Sequence, residues 1–171
     1  MRLNKEVRRL PRLAPTSERP GIIDVEDAVE LNDQLGYNLY RAALLFRREL
    51  IRALREHDLS PEQWQTLASL WAHGPLSPSE IARVTLQDLP SISRMISRME
   101  KRGWIVRVED PKDGRSFRVD LTWEGRQLQA VLPPLIFEHF EEVLDGFPEL
   151  RRRRLLELLQ ELRQVLGDPT P

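Results

Sequence analysis

The chain has 171 residues, 40 % hydrophobic and 31 % charged, enough apolar content for one packed domain with extensions and too much for a disordered chain. It has no cysteine, which rules out disulfides and thiolate chemistry and fits a reducing cytoplasm. The net charge of −1 is unevenly spread: residues 83–118 hold nine basic and five acidic side chains, and residues 1–20 hold six basic and two acidic, within an otherwise acidic body. No apolar run approaches the ~20 residues of a membrane span. The opening Met1-Arg-Leu-Asn-Lys-Glu lacks the apolar stretch of a signal peptide, so a cytoplasmic location without membrane contact is expected.

Residues 1–23, with Pro11, Pro15, Pro20, Gly21 and scattered arginines, read as a basic arm. From Asp24 to Glu56 the pattern is helical, with Leu31, Leu35, Leu39, Ala42, Phe46, Leu50 and Ala53 at three- and four-residue steps. Two helix starts follow. Ser60-Pro61-Glu62-Gln63 and Ser77-Pro78-Ser79-Glu80 each place a capping serine, a proline at the first helical position and a side chain that reaches back to the cap. The helix between them offers Trp64, Leu67, Ala68 and Trp71 to a core, and His73-Gly74-Pro75 stops it.

A third helix begins at Asp88, with Ile92, Met95, Ile96 and Met99 as its apolar stripe. Its other face carries Ser91, Arg94, Ser97, Arg98 and Lys101, with Ser93 at the flank, and Gly103 ends it. The period then changes. Trp104–Glu109 and Ser116–Leu121 read as strands, and Asp110-Pro-Lys-Asp-Gly-Arg115 between them as a turn. Thr122 caps a further helix, in which Pro133-Pro134 should make a kink. After Gly146-Phe147-Pro148, a last helix over Glu149–Leu166 is striped by Leu155, Leu158, Leu159, Leu162 and Val165.

The order predicts a mainly α fold with a small β-wing: a winged helix-turn-helix over residues 57–122, with helical segments at residues 24–56 and 123–166. A major groove admits one α-helix whose polar outer face meets the base edges. Ser91, Ser93 and Arg94 suit that position; the bland alternative is a solvated helix face. Ser97 shares the face, and Lys101 is better placed for phosphates. Arg98 either contacts phosphate or pins the helix to the wing. Lys112 and Arg115 either grip the duplex or are an ordinary polar turn.

With these residues in view, the sequence resembles the MarR family of regulators over roughly residues 25–166. The resemblance rests on Asp88-Leu-Pro-Ser-Ile-Ser-Arg-Met-Ile-Ser-Arg-Met-Glu-Lys-Arg-Gly-Trp-Ile-Val-Arg, on Asp110-Pro-Lys-Asp-Gly-Arg-Ser and on Val119-Asp-Leu-Thr-Trp-Glu-Gly. It implies that Ser91, Ser93 and Arg94 read bases, that Arg115 is the wing-tip arginine oriented by Asp113, and that the first and last two helices, residues 24–56 and 123–166, form a helical dimerisation lobe. It also implies a homodimeric repressor on a pseudo-palindromic site in double-stranded DNA, released by a small aromatic or anionic effector held near Tyr37, Arg41, His57 and Trp64. Three features depart from the pattern: Gly114 and Ser116 flank Arg115 where relatives often have a second arginine, Phe147 replaces a serine or threonine cap, and the basic arm is long.

His57, His73 and His139 lack metal-ligand spacing, so neither metal nor cofactor is expected. No phosphate loop or nucleophile elbow marks an enzyme. The competing class is a winged-helix protein-interaction module without sequence-specific DNA binding.

Overall fold

The computed structural model describes residues 31–168, and the expected arm and the helix start at Asp24 lie outside the described residues. The chain divides into two compact units, Met1–Tyr40 and Arg41–Pro171. In the first, Leu31–Asp33 form a 3-10 turn and α1 (Leu35–Leu54) begins. The helix expected to run through this region is therefore interrupted at Gln34. Asn38 supplies a reason: its side-chain amide donates to the carbonyls of Asn32 (2.5 Å) and Gln34 (2.9 Å). Asparagine offers backbone carbonyls a partner that competes with a regular helix.

The second unit carries the rest of α1, a 3-10 turn at Arg55–His57, and then α2 (Pro61–His73), α3 (Pro78–Thr85) and α4 (Leu89–Lys101). A hairpin of β1 (Ile105–Asp110) and β2 (Asp113–Leu121) follows, and α5 (Trp123–Val143) and α6 (Glu149–Val165) complete it. Both expected capping boxes form. Ser60 Oγ accepts the Gln63 N–H at 3.2 Å while Gln63 Oε1 accepts the Ser60 N–H at 2.9 Å. Ser77 and Glu80 repeat the exchange at 3.2 and 2.7 Å. Pro133 and Pro134 lie inside α5, which is assigned as one helix.

The first strand lies one residue on from where it is expected, the second begins three residues earlier than expected, and only Pro111 and Lys112 are left between them. Pairing runs antiparallel from Ile105↔Leu121 to Glu109↔Phe117, shifts register, and closes at Asp110↔Asp113. The turn cluster folds onto its own acceptors: Asp110 Oδ1 takes the Lys112 N–H (2.9 Å) and Asp113 Oδ1 the Arg115 N–H (3.0 Å). Leu76 adds a bridge to Val119, donating at 3.0 Å and accepting at 2.7 Å, which ties the α2–α3 connection to β2.

One apolar cluster joins these elements. It runs from Leu54 of α1 through Leu67, Leu70, Ile81, Ile92, Ile96, Met99 and Val119 to Leu132 of α5. Trp64 and Trp71, part-buried at its margin, meet edge to face at 5.6 Å.

The passage from hairpin to α5 is the tightest place in the unit. Thr122 Oγ1 donates to Gly103 O (2.5 Å) and accepts the Gly125 N–H (3.1 Å). Trp71 Nε1 donates to Gly125 O at 3.1 Å. A Cβ at position 125 would lie 2.0 Å from the Trp104 carbonyl oxygen, whereas nothing lies within 4 Å of one at position 114. Gly125→Ala is therefore expected to destabilise the protein by about 1–3 kcal/mol as backbone is forced apart. Gly114→Ala should leave the denaturant midpoint unchanged.

Candidate nucleic-acid interface

Helix α4 is positioned by its apolar stripe: Ile92, Met95, Ile96 and Met99 are all buried in the common cluster. Its remaining faces therefore turn away from the core. Asp88 caps the helix, its Oδ1 accepting the Ser91 N–H at 2.8 Å. Its Oδ2 accepts the Ser91 hydroxyl at 2.8 Å, and Ser91 Oγ in turn accepts Arg94 Nη2 at 3.1 Å. Donations from the Ser91 N–H and hydroxyl, with the Arg94 charge behind them, hold the Asp88 carboxyl below its usual range. The chain Asp88–Ser91–Arg94 therefore sets the guanidinium over the first turns of α4. Ser93 is exposed, and its hydroxyl has no partner among the described residues.

The basic side chains separate into two groups. Arg102 donates to Asp58 O (2.8 Å), pairs with the Asp58 carboxylate and lies 4.8 Å over the Trp104 ring. Arg107 pairs with Glu100 at 3.2 Å, donates to Ser97 Oγ at 3.3 Å and covers Phe117 at 4.7 Å. Arg118, part-buried, donates twice to Pro75 O (3.0 and 2.7 Å) and reaches Glu80 (2.8 Å) and Asp110 (3.4 Å). These three arginines fasten one element to another. By contrast, the side chains of Arg83, Arg98, Lys101, Lys112 and Arg115 have no hydrogen bond or ion pair among the described residues.

Of the two roles open to Arg98, pinning the helix to the wing is carried out by Arg107 on β1. Ser97 belongs to the same strut, since its hydroxyl donates to Ser93 O at 3.1 Å while accepting Arg107. Asp113 holds the backbone N–H of Arg115 and leaves its guanidinium free. Lys112 occupies the hairpin tip, and Arg115 stands on β2, one step down from the turn where it was expected. The two positions share an exposed end of the wing. Sequence reasoning counted Arg102, Arg107 and Arg118 only as positive charge. Their partners lie 44, 10 and 43 residues away, beyond any local pattern.

Two clefts flank α4. The smaller, about 270 Å³, is lined by Ser60, Glu62, Gln63, Gln87, Arg94 and Arg98 among others. On it Gln87 Nε2 is buried without a hydrogen-bond partner among the described residues. The larger, about 660 Å³, joins Arg47, Arg98, Lys101 and Arg102 to an apolar floor of Ile51, Leu59 and Pro61. Arg47 is paired with Glu62 of the smaller cleft at 2.6 Å, and Asp58, the partner of Arg102, also lines the larger one. None of Tyr37, Arg41, His57 and Trp64 lines either cleft. Tyr37 belongs to the first unit, His57 to the 3-10 turn, and Trp64 packs on Trp71. No group of three or more metal-ligating side chains is placed to hold an ion among the described residues. No helix of the described residues is long and apolar enough to cross a membrane.

Comparison with known proteins agrees with this architecture. The model of the MarR family matches residues 57–116. The chain is 30 % identical to the HTH-type transcriptional regulator TtmR of Methylorubrum extorquens, over 82 % of this chain and 71 % of that one. It is 32 % identical to the transcriptional activatory protein BadR of Rhodopseudomonas palustris, over 70 % of each. Among solved structures, the transcriptional repressor CouR bound to a 23-mer DNA duplex superposes with a TM-score of 0.73 at 30 % identity, over 78 % of this chain and 95 % of that one.

The Asp88 cap gives this site a pH signature. A carboxyl held below its unfolded value of ~3.9 adds stability above that value and loses it as pH falls through the folded one. Asp88→Ala is expected to lower the denaturant midpoint at pH 7. The gap from the wild type should close as pH drops below 4.

Proposed function

This chain belongs to the MarR family of transcriptional regulators. From that premise we propose that it binds double-stranded DNA as a homodimer, with α4 in the major groove and the β1–β2 wing on the flanking backbone. The observation that carries this reading is the division of the basic side chains. Every cation on the outer face of α4 and at the wing tip is free of a protein counter-charge, apart from Arg94, which Ser91 Oγ holds near the Asp88 carboxylate. Cations left unpaired on one exposed surface are what phosphate recognition uses. Arg94, set beside Ser93 near the helix start, has the reach for guanine O6 and N7.

Homodimerisation is supported by apolar surface that the chain leaves uncovered. No residue of α6 is buried, and Leu150, Leu155, Leu156, Leu158 and Val165 are exposed on it. Leu44, Leu45, Phe46 and Ile51 are exposed on α1. Phe46 of α1 lies beside Leu155 and Leu156 of α6, and exposed apolar side chains in this number mark an association face. A twofold dimer would present two α4 helices to half-sites about 10 base pairs apart, one turn of the duplex. Winged lobe (57–122) and dimerisation helices would then be separate working parts of one chain, acting in the cytoplasm without catalysis.

Regulation follows from geometry. Bound across a promoter, such a dimer excludes polymerase and represses. A small aromatic or anionic effector that favours a dimer with differently spaced α4 helices would release it, by differential affinity for the two forms. The larger cleft beside α4 suits such a ligand, with the unpaired Arg98 and Lys101 above an apolar floor, Arg47 and Arg102 being held by Glu62 and Asp58.

Arg94→Ala is expected to weaken binding to a selected site by about 1–3 kcal/mol and to relax specificity at one base step. Equal losses on selected and random DNA would remove the base-reading role. For the dimer, Leu158→Glu should convert a two-chain species into a monomer by light scattering. A wild-type protein that is already a monomer at micromolar concentration would contradict the proposal.

A further inference from the structure

We infer that Leu89 reads a thymine methyl group in the major groove, with Leu86 and Pro90 screening that contact from water. The inference rests on the DNA-binding reading above and adds to it a residue that recognises an apolar base feature.

Within residues 57–122, the large hydrophobic side chains left exposed are Leu86 (76 %), Leu89 (53 %) and Val106 (42 %). Two of these three bracket Asp88, the cap of α4. The exposed leucines elsewhere lie at Leu31, on α1, on α6 and at Leu166, outside the winged lobe, and those on α1 and α6 belong to the proposed self-association face. Nothing in the lobe's own packing accounts for the pair at the cap. Leu86 also sits at φ +53°, a left-handed conformation that glycine or asparagine adopts more readily. It closes α3 by donating its N–H to Ala82 O, a bond any residue could make. A leucine both exposed and conformationally unfavourable is a local choice that folding does not explain.

The first turn of α4 sharpens the assignment. Its residues are Leu89, Pro90 and Ser91, and the Ser91 hydroxyl is occupied between Asp88 and Arg94. Pro90 has no N–H to offer a base, and its side chain is exposed. The leading end of the helix therefore offers the exposed apolar side chains of Leu89 and Pro90 beside an Asp88 carboxylate already taken by Ser91, and the free Ser93 hydroxyl and the Ser91-held Arg94 come one turn on. A reading helix enters the groove by its N-terminal residues. On the base edges there, the apolar feature is the C5-methyl of thymine. An exposed leucine at the leading position is matched to that group and to no hydrogen-bonding edge.

The test uses the full chain and a duplex site selected from random DNA, with each thymine replaced singly by deoxyuridine, which lacks only the methyl. Burial of one methyl corresponds to about 0.8 kcal/mol, or roughly fourfold in affinity. The wild type is expected to bind one uracil position per half-site about fourfold more weakly than thymine. Leu89→Ala should bring that ratio to near one, Leu89→Met should keep it, and Arg94→Ala should weaken both duplexes and leave it unchanged. A ratio of one at every position for the wild type overturns the inference. So does a ratio that survives Leu89→Ala. Absence of salt-dependent binding to any duplex would overturn the DNA-binding reading itself, and is distinct from both.

Discussion

Four side chains on one stripe of α4, Ile92, Met95, Ile96 and Met99, fix the rotation of that helix about its own axis. Each contributes on the order of 1.5–3 kcal/mol when buried, so turning the helix by even a quarter would expose most of that gain. Everything functional in the lobe follows from this setting. It directs Ser93, Arg94, Arg98 and Lys101 outward, and it places Asp88 where its carboxylate caps the helix and aligns Arg94 through Ser91.

A helix fixed in rotation still needs a frame, and three arginines supply it. Arg107 joins β1 to α4, Arg118 joins β2 to the start of α3, and Arg102 joins the end of α4 to Asp58. The Thr122–Gly125 junction then locks the root of the wing to α5, through Gly103, Trp104 and Trp71. Movement of α5 would therefore be felt at the wing and at the end of α4. Such a connection is what an effector at a distance from the duplex would need if it is to change the spacing of two reading helices.

Much of this was legible in the order of residues. The α4 stripe shows as a period near 3.6, and the capping boxes at Ser60 and Ser77 show because serine, proline and a glutamine or glutamate stand at fixed offsets. The fold class follows from these elements in order, and the resemblance to the family rests on the motifs from Asp88 to Gly125. The finer division among cations did not show. Arg102, Arg107 and Arg118 look like Arg98 and Arg115 until their partners, distant in the chain, come into place. Asn38 breaks the first helix through side-chain bonds that hydrophobic periodicity does not register. The second wing strand reaches back to Asp113 because Asp110 and Asp113 satisfy the turn from within the ladder. Trp64, whose apolar stripe already spoke for packing, lies against Trp71 at the edge of the core.

The central claim is that unpaired cations face DNA while paired arginines hold the fold. The most direct measurement is the salt dependence of DNA affinity together with the melting temperature, for alanine variants of both groups. Replacing Arg98, Lys101 or Lys112 should lower the slope of log affinity against log salt by about one contact each and leave the melting temperature near the wild type. Replacing Arg102, Arg107 or Arg118 should lower the melting temperature and leave the slope of the folded protein unchanged. Equal effects of the two groups on both quantities would contradict the account.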